Sequence, residues 1–254
     1  MKKIAIFMAT ALVLSLSAVA YAQSAGNTYT VDAKTSSTKA GSKSKPTQIG
    51  IDFDFTVNGP NGERPGVIES YAIFFGGVKS NYAKFAKCSV TKMEADGGVE
   101  GCPKGAIVGE GFIKNATGIK TTPTDRSIQC NAQLWVVNSG GGKGAIFVKG
   151  SPTSSDPKTK CAIPLASPIP TTFKNSSKGT TLTFTVPQTL KHPAPTLDNA
   201  VLEVDTKINS KKTKGKAFYE SIGGCKAGKR EVSVTFTTEA GAKTTEKTTA
   251  KCSK

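Results

Sequence analysis

A chain of 254 residues with 34 basic against 18 acidic side chains, a formal charge of +16 and 37% hydrophobic residues is long enough to bury a sizeable core and basic enough to be drawn to anionic surfaces. Only Arg64, Arg126 and Arg230 of those cations are arginines. Lysines act as hydrated point charges rather than planar forks matched to phosphate, and the sequence carries no helix-turn-helix, zinc-finger or RNA-binding signature, so specific nucleic-acid binding is not expected.

The chain opens with Lys2 and Lys3, an apolar run from Ile4 to Ala18, and Ala20-Tyr21-Ala22 ahead of Gln23. That order of charged, apolar and small residues predicts a secretory signal peptide over 1–22, removed before Gln23. The mature part, 23–254, then carries about +14 after subtraction of Lys2 and Lys3. No later stretch approaches the roughly 20 apolar residues that a membrane-spanning helix needs. With no cysteine at the cleavage point and no apolar tail, the expected product is soluble, either released or held non-covalently at the cell envelope. Its expected partners are anionic envelope polymers or glycans, met through a lysine-rich surface that also serves solubility.

Period-two patterning dominates the mature part. Ile49, Ile51, Phe53, Phe55 and Val57 alternate with Gly50, Asp52, Asp54 and Thr56, as in a strand with one buried face. Tyr71 to Phe75, Leu134 to Val137 and Ala145 to Val148 are apolar on both faces, and Leu182 to Val186, Leu202 to Ile208 and Val232 to Phe236 alternate again. Asn58 to Gly62, Gly223-Gly224 and the glycine-rich stretch Asn138 to Gly144 supply turns, the last joining two strands as a hairpin. At most one short helix is predicted, its place being Asn81 to Lys87, where Tyr82, Phe85 and Ala86 fall at helical spacing. Many short strands with Gly and Pro between them predict an all-β fold, specifically an antiparallel β-sandwich of immunoglobulin-like or jelly-roll type, as a single domain over 23–254. Lysine-rich segments at 34–45 and 209–216 read as solvated loops.

Six cysteines, Cys88, Cys102, Cys130, Cys161, Cys225 and Cys252, all lie after the signal peptide. An even count in an exported chain predicts three disulfides, of 15 formal connectivities, and pairing in sequence order closes one or two strands per loop. Each closure is worth roughly 3 to 4 kcal/mol by chain entropy. A zinc site is not expected: no C-x-x-C pair is present, and the one histidine is remote in sequence.

Candidate chemistry is sparse, and no catalytic, cofactor or metal residues are assigned. His192, the sole histidine, sits in Lys191-His192-Pro193-Ala194-Pro195 and reads as an exposed loop residue, its replacement by alanine costing under about 0.5 kcal/mol. Asp198 reads as serving a turn. Asp52 and Asp54 share one face of a strand, a pattern compatible with calcium or half of a glycosidase pair and equally with an ordinary wet face. Ser89-Val90-Thr91-Lys92 and Ser42-Lys43-Ser44-Lys45 match the S-x-x-K signature of penicillin-recognising enzymes, but 31 lysines make such matches accidental, the companion elements are missing, and neither lies on a predicted helix. Gly105, Gly109 and Gly111 lack phosphate-loop spacing and read as a bulge or close backbone approach. Trp135 reads as core.

Cys102-Pro103-Lys104-Gly105-Ala106-Ile107-Val108-Gly109-Glu110-Gly111, Phe184-Thr185-Val186-Pro187 with His192 to Val201, and Gly223-Gly224-Cys225 with Val232 to Phe236 together resemble a group of uncharacterised secreted, disulfide-bonded β proteins of actinobacteria. The resemblance implies an exported β protein and transfers no activity and no site residues.

These observations lead to an exported, non-enzymatic binding or structural module. The alternative is a secreted polysaccharide hydrolase working through carboxylates, which would gather acidic residues of raised pKa in one cleft.

Overall fold

The computed structural model describes residues 26–209, 212, 213 and 215–253; the signal peptide expected at 1–22 lies outside the described residues. In chain order the elements are β1 (Thr28–Thr35), β2 (Thr47–Ile49), β3 (Ile51–Asn58), β4 (Ile68–Gly76), β5 (Val78–Ser80), α1 (Val90–Asp96), β6 (Ile107–Ile119), β7 (Ile128–Gln129), β8 (Ala132–Gly140), β9 (Lys143–Gly150), β10 (Leu165–Asn175), β11 (Gly179–Thr185), α2 (Gln188–Lys191), β12 (Leu197–Ile208), β13 (Lys212–Thr213), β14 (Lys216–Ala217), β15 (Tyr219–Ser221), β16 (Lys229–Thr238) and β17 (Lys243–Lys251).

Eleven strands hydrogen-bond in the order β1-β3-β12-β6-β8-β9-β10-β11-β4-β16-β17, every pair antiparallel, with β7 added beside β6. The sheet curls until its two ends meet. Because eleven is odd, the end strands β1 and β17 point the same way, and a parallel bridge between Lys39 and Ser253 lies just past them. The seam is packed by side chains: Tyr29 of β1 stacks on Phe236 of β16 at 4.2 Å. Ala40 N donates to Ser253 O and Ser253 N to Thr38 O, at 2.7 and 2.6 Å. The expectation of an antiparallel β fold therefore stands at the level of class, but one nearly closed, barrel-like sheet replaces the expected two-layer sandwich. Alternation marks a buried face in either architecture; the difference lies in long-range pairings such as β3 with β12 and β4 with β16.

The inward face of that sheet forms the main core, including Phe53, Phe55, Tyr71, Leu134, Ile146 and Phe236. Two of the three runs that are apolar on both faces, those in β8 and β9, have a second partner. Val137, Ala145, Phe147 and the half-buried Trp135 point outward, under a flap that carries α1, Met93 and Cys88–Cys102. The Trp135 and Phe147 rings lie 6.2 Å apart. Ser89 caps α1 by accepting from Lys92 N at 3.1 Å, and Gly97 closes it with φ +59°. The helix expected at Asn81 to Lys87 is only a 3-10 turn at Tyr82–Lys84; among the described residues the α-helices are α1 and α2, one more than expected and both outside the predicted segment.

The cysteines pair in sequence order, Cys88–Cys102, Cys130–Cys161 and Cys225–Cys252, with no free cysteine among the described residues. The segment 34–45 is not a free loop: Lys34 belongs to β1, Ser36 N donates to Gly50 O, and Ala40 is buried against the seam. The described part of 209–216 contributes β13 and the start of β14, which pair with each other.

Candidate functional site

The barrel interior is not completely filled. A cavity of about 100 Å³ runs beneath α2, lined by Phe53, Tyr71, Leu134, Ile146, Leu182 and Val204 from six different strands. Local sequence places its roof. Val186-Pro187 ends β11, Pro187 cannot donate to a ladder, and the chain turns once through Gln188–Lys191 before β12 begins. That turn lowers Leu190 and Lys191 into the cavity wall. Asn199 holds it there, donating through Nδ2 to Leu190 O at 2.8 Å while its Oδ1 accepts from Thr117 Oγ1 at 2.7 Å.

A chain of alternating charges covers the roof. The Lys191 side chain is only 5% exposed and its ammonium pairs with Glu69 of β4 and, at 2.8 Å, with Glu239 after β16. Glu239 also faces His192 Nε2 at 2.9 Å, and His192 Nδ1 lies 2.7 Å from Asp198 Oδ1. Asp198 in turn stands 3.9 Å from the buried Arg64 guanidinium, which donates to Asp125 O and Ile119 O. Burial works to raise the Glu239 pKa, but the hydrogen bonds and charges of Lys191 and His192 outweigh it and hold the carboxyl below its ordinary value. For Lys191 burial works downward, and the two carboxylates reverse it and raise the ammonium above its ordinary value. Outside this layer lies a second hollow, of about 310 Å³, whose wall includes Arg64, Lys120, Asp198 and Glu239. The Lys191–Glu239 pair thus joins the wall of the inner cavity to the wall of the outer cleft.

His192 is accordingly not the exposed loop residue that its two following prolines suggest. Its side chain is 13% exposed and bridges two carboxylates, and Asp198 serves that bridge rather than a turn. The nitrogen that would activate a nucleophile in a serine triad, Nε2, is taken by Glu239. Nothing near His192 in sequence announces Glu239, 47 residues on; only the closure of β16 against β4 and α2 brings it in. Ser89 of the S-x-x-K match does stand at a helix start, contrary to expectation, but its hydroxyl is the cap and the Lys92 ammonium pairs with Asp96 at 3.0 Å. In the other match, Ser42 Oγ accepts from Lys45 N in a turn.

Asp52 and Asp54 point outward from β3. Register places Lys34, Asp52, Lys207 and Glu110 in one row across β1, β3, β12 and β6, and places Asp32, Asp54 and Asp205 in the next. Burial, with Asp32 and Asp205 adding repulsion, raises the Asp54 pKa. No group of three or more metal-ligating side chains occurs among the described residues. Gly111 marks a close approach: a Cβ there would sit 1.9 Å from Asp205 O on β12.

The chain matches no family model, no curated protein and no solved structure. Among the described residues no helix is long and apolar enough to cross a membrane.

Proposed function

We propose that this is an exported, non-enzymatic binding protein acting at the cell envelope or outside the cell, and that its ligand compartment is the interior of the barrel. The observation that carries the reading is the apolar cavity beneath α2, lined from eight of the eleven strands of the sheet and separated from an outer cleft by one layer of ion pairs. A barrel of about eight strands is just wide enough to fill with side chains or to hold one small ligand, and eleven strands enclose more room than that. Three disulfides suit an oxidising compartment, in line with the expected signal peptide and with the resemblance to secreted actinobacterial β proteins. The lysine excess suits weak attachment to anionic envelope polymers.

The hydrolase alternative draws less support. Glu239 and Asp198, the carboxylates at the cleft, are committed to Lys191, His192 and Arg64, and Asp54, whose pKa is raised, faces outward from the sheet.

Xenon tests the compartment, because dry apolar cavities take it up and a single atom fits within about 100 Å³. A saturable rise in Tm of the mature protein with dissolved xenon is the expected result, since a ligand that binds only the folded state stabilises it by mass action. A Tm that stays unchanged up to the solubility limit overturns the reading.

A further inference from the structure

We infer that the protein docks on a linear polyanionic glycan through a row of lysines, Lys226, Lys229 and Lys251, at the end of the barrel away from α2. The inference rests on the proposed attachment to anionic envelope polymers and names the surface that makes it.

Backbone pairing sets the row. Lys226 and Lys229 exchange two N–H to O bonds of 2.9 Å across the turn Ala227-Gly228, and Lys229 stands opposite Lys251 in the β16–β17 ladder. Residues directly opposite in antiparallel segments share a face, so three exposed lysines leave the same outer side of three neighbouring segments. Cys225 and Cys252, next in sequence to Lys226 and Lys251, alternate to the other face and are bridged there. That bridge draws the outer two segments together on its own side and leaves the lysines on a convex ridge.

Like charges directly opposite one another in a sheet are destabilising, yet no carboxylate relieves this row. Among the described residues none of the three lysines has an ion-pair partner, and Glu231, the next outward residue of β16, is committed to Lys247 at 3.5 Å. The exposed Lys39, bridged to Ser253 two residues past Lys251, adds a further cation. Behind Lys229, Arg230 is buried with Ser221 Oγ as its hydrogen-bond partner, and its charge is neutralised by no acid among the described residues. An uncompensated, repelling row is what a polymer of negative charge would relieve.

Shape and chemistry favour a glycan. A convex ridge offers no pocket for a small anion, and ammonium groups are point charges that take carboxylate or sulfate without a fixed geometry. Surfaces that lie in a bilayer interface set apolar side chains beside their basic ones. Here the one large exposed hydrophobic among the described residues, Ile119, lies at the other end, where its carbonyl accepts from Arg64 beside the cleft. β16 runs from Lys229 to Thr238 and Glu239 follows it, so a protein docked through the row holds its cleft away from the polymer.

The test measures binding of the full mature protein to labelled polygalacturonate at about 50 mM salt and upward. Neutralising the row, with Lys226→Gln, Lys229→Gln and Lys251→Gln combined, is expected to weaken binding about tenfold or more, as three surface ion contacts allow. The same change at Lys120, Lys160 and Lys243, exposed lysines at the opposite end of the sheet, is expected to cost less than about threefold, the effect of net charge alone. Equal losses in the two variants overturn the row and leave attachment to net charge. A wild type without salt-sensitive binding overturns both readings. Tighter binding to vesicles of equal parts phosphatidylglycerol and phosphatidylcholine than to polygalacturonate overturns the glycan. Lysine acetylation of the wild type, read by mass spectrometry, needs no variant: polygalacturonate is expected to protect Lys226, Lys229 and Lys251 above the three control lysines, and uniform protection overturns the row.

Discussion

His192 and Asp198 form a 2.7 Å contact through Nδ1 and Oδ1 between the end of α2 and the start of β12, with side chains only 13% and 14% exposed. The opposite ring nitrogen meets Glu239. A neutral imidazole can donate to one of these carboxylates and the imidazolium to both. The ring thus fastens α2 to the β16–β17 turn.

Removing the ring takes one partner from each acid, leaving Glu239 with Lys191 and Asp198 with the more distant Arg64. His192→Ala is expected to lower unfolding free energy by about 2 kcal/mol, the range of hydrogen bonds to charged groups, measured by urea denaturation. A loss below about 0.5 kcal/mol would return His192 to the status of a surface spectator.

Acid should loosen the same end of the barrel. The Ile119 N–H, donating at 2.6 Å, and Ser127 hold the Asp125 carboxyl down at about 2, against an ordinary value of 3.8. Glu239 likewise sits below its ordinary 4.5. A carboxyl whose folded pKa is depressed stabilises the fold above its unfolded pKa, and that contribution disappears as pH falls through the folded value. Stability is therefore expected to be full with respect to these groups above about pH 4.5 and to decline towards pH 2. Tm measured across that interval at constant ionic strength checks it; a Tm that does not fall below pH 4.5 contradicts it.

Asp54 lies opposite Asp32 on one neighbouring strand and Asp205 on the other. Like charges directly opposite in a sheet are destabilising. Asp54→Thr removes the central charge and puts a good strand former in its place, so stability should rise by roughly 0.5 kcal/mol. Addition of salt should shrink the gain. A destabilised variant would show that the row is held by an interaction other than repulsion.

Arg230 is 1% exposed, and its Nη2 donates to Ser221 Oγ, while among the described residues Nε and Nη1 have no partner. Burial lowers its pKa, but a guanidinium does not give up its proton in a protein. Desolvating such a cation is costly, so Arg230→Met, which keeps the length of the stem, should leave stability unchanged or raise it by about 1 kcal/mol. A loss above about 3 kcal/mol in urea denaturation would mean that the guanidinium has a strong partner in the folded protein.

Envelope attachment through lysines should be electrostatic. Retention of the protein on anionic glycan is expected to drop steeply between about 50 and 500 mM salt, as the Debye length shrinks from roughly 14 to 4 Å. Retention that ignores salt would point to a specific pocket instead.

The strands legible in the sequence are those whose side chains have a single physical reason to alternate: β3, β11, β12 and β16 each set an apolar face against a wet one. Others carry no such signal. β17, KTTEKTTAK, is an end strand with only β16 bonded to it; threonines occupy both of its faces, and Ala250 is its one apolar residue. β10 contains Pro168 and Pro170, which read as breakers. Both fall in the half of the strand paired to β9 alone, because β11 joins only from Thr171, so their missing donors leave no ladder incomplete. The cavity roof is illegible for a different reason. Its ion pairs join Glu69, Lys191 and Glu239, residues brought together only by long-range strand pairing.

The odd number of strands also gives the molecule a direction. β1 and β17 run the same way, so Asn27 and Ser253 lie at opposite ends of the barrel. Asn27 exchanges two hydrogen bonds with Gly66, on the rim of the cleft outside α2. A bead, dye or surface coupled just ahead of Asn27 would therefore crowd that rim, whereas one coupled beyond Ser253 would leave it facing open solvent. The two immobilised forms of the same protein should differ in how fast small molecules reach the interior.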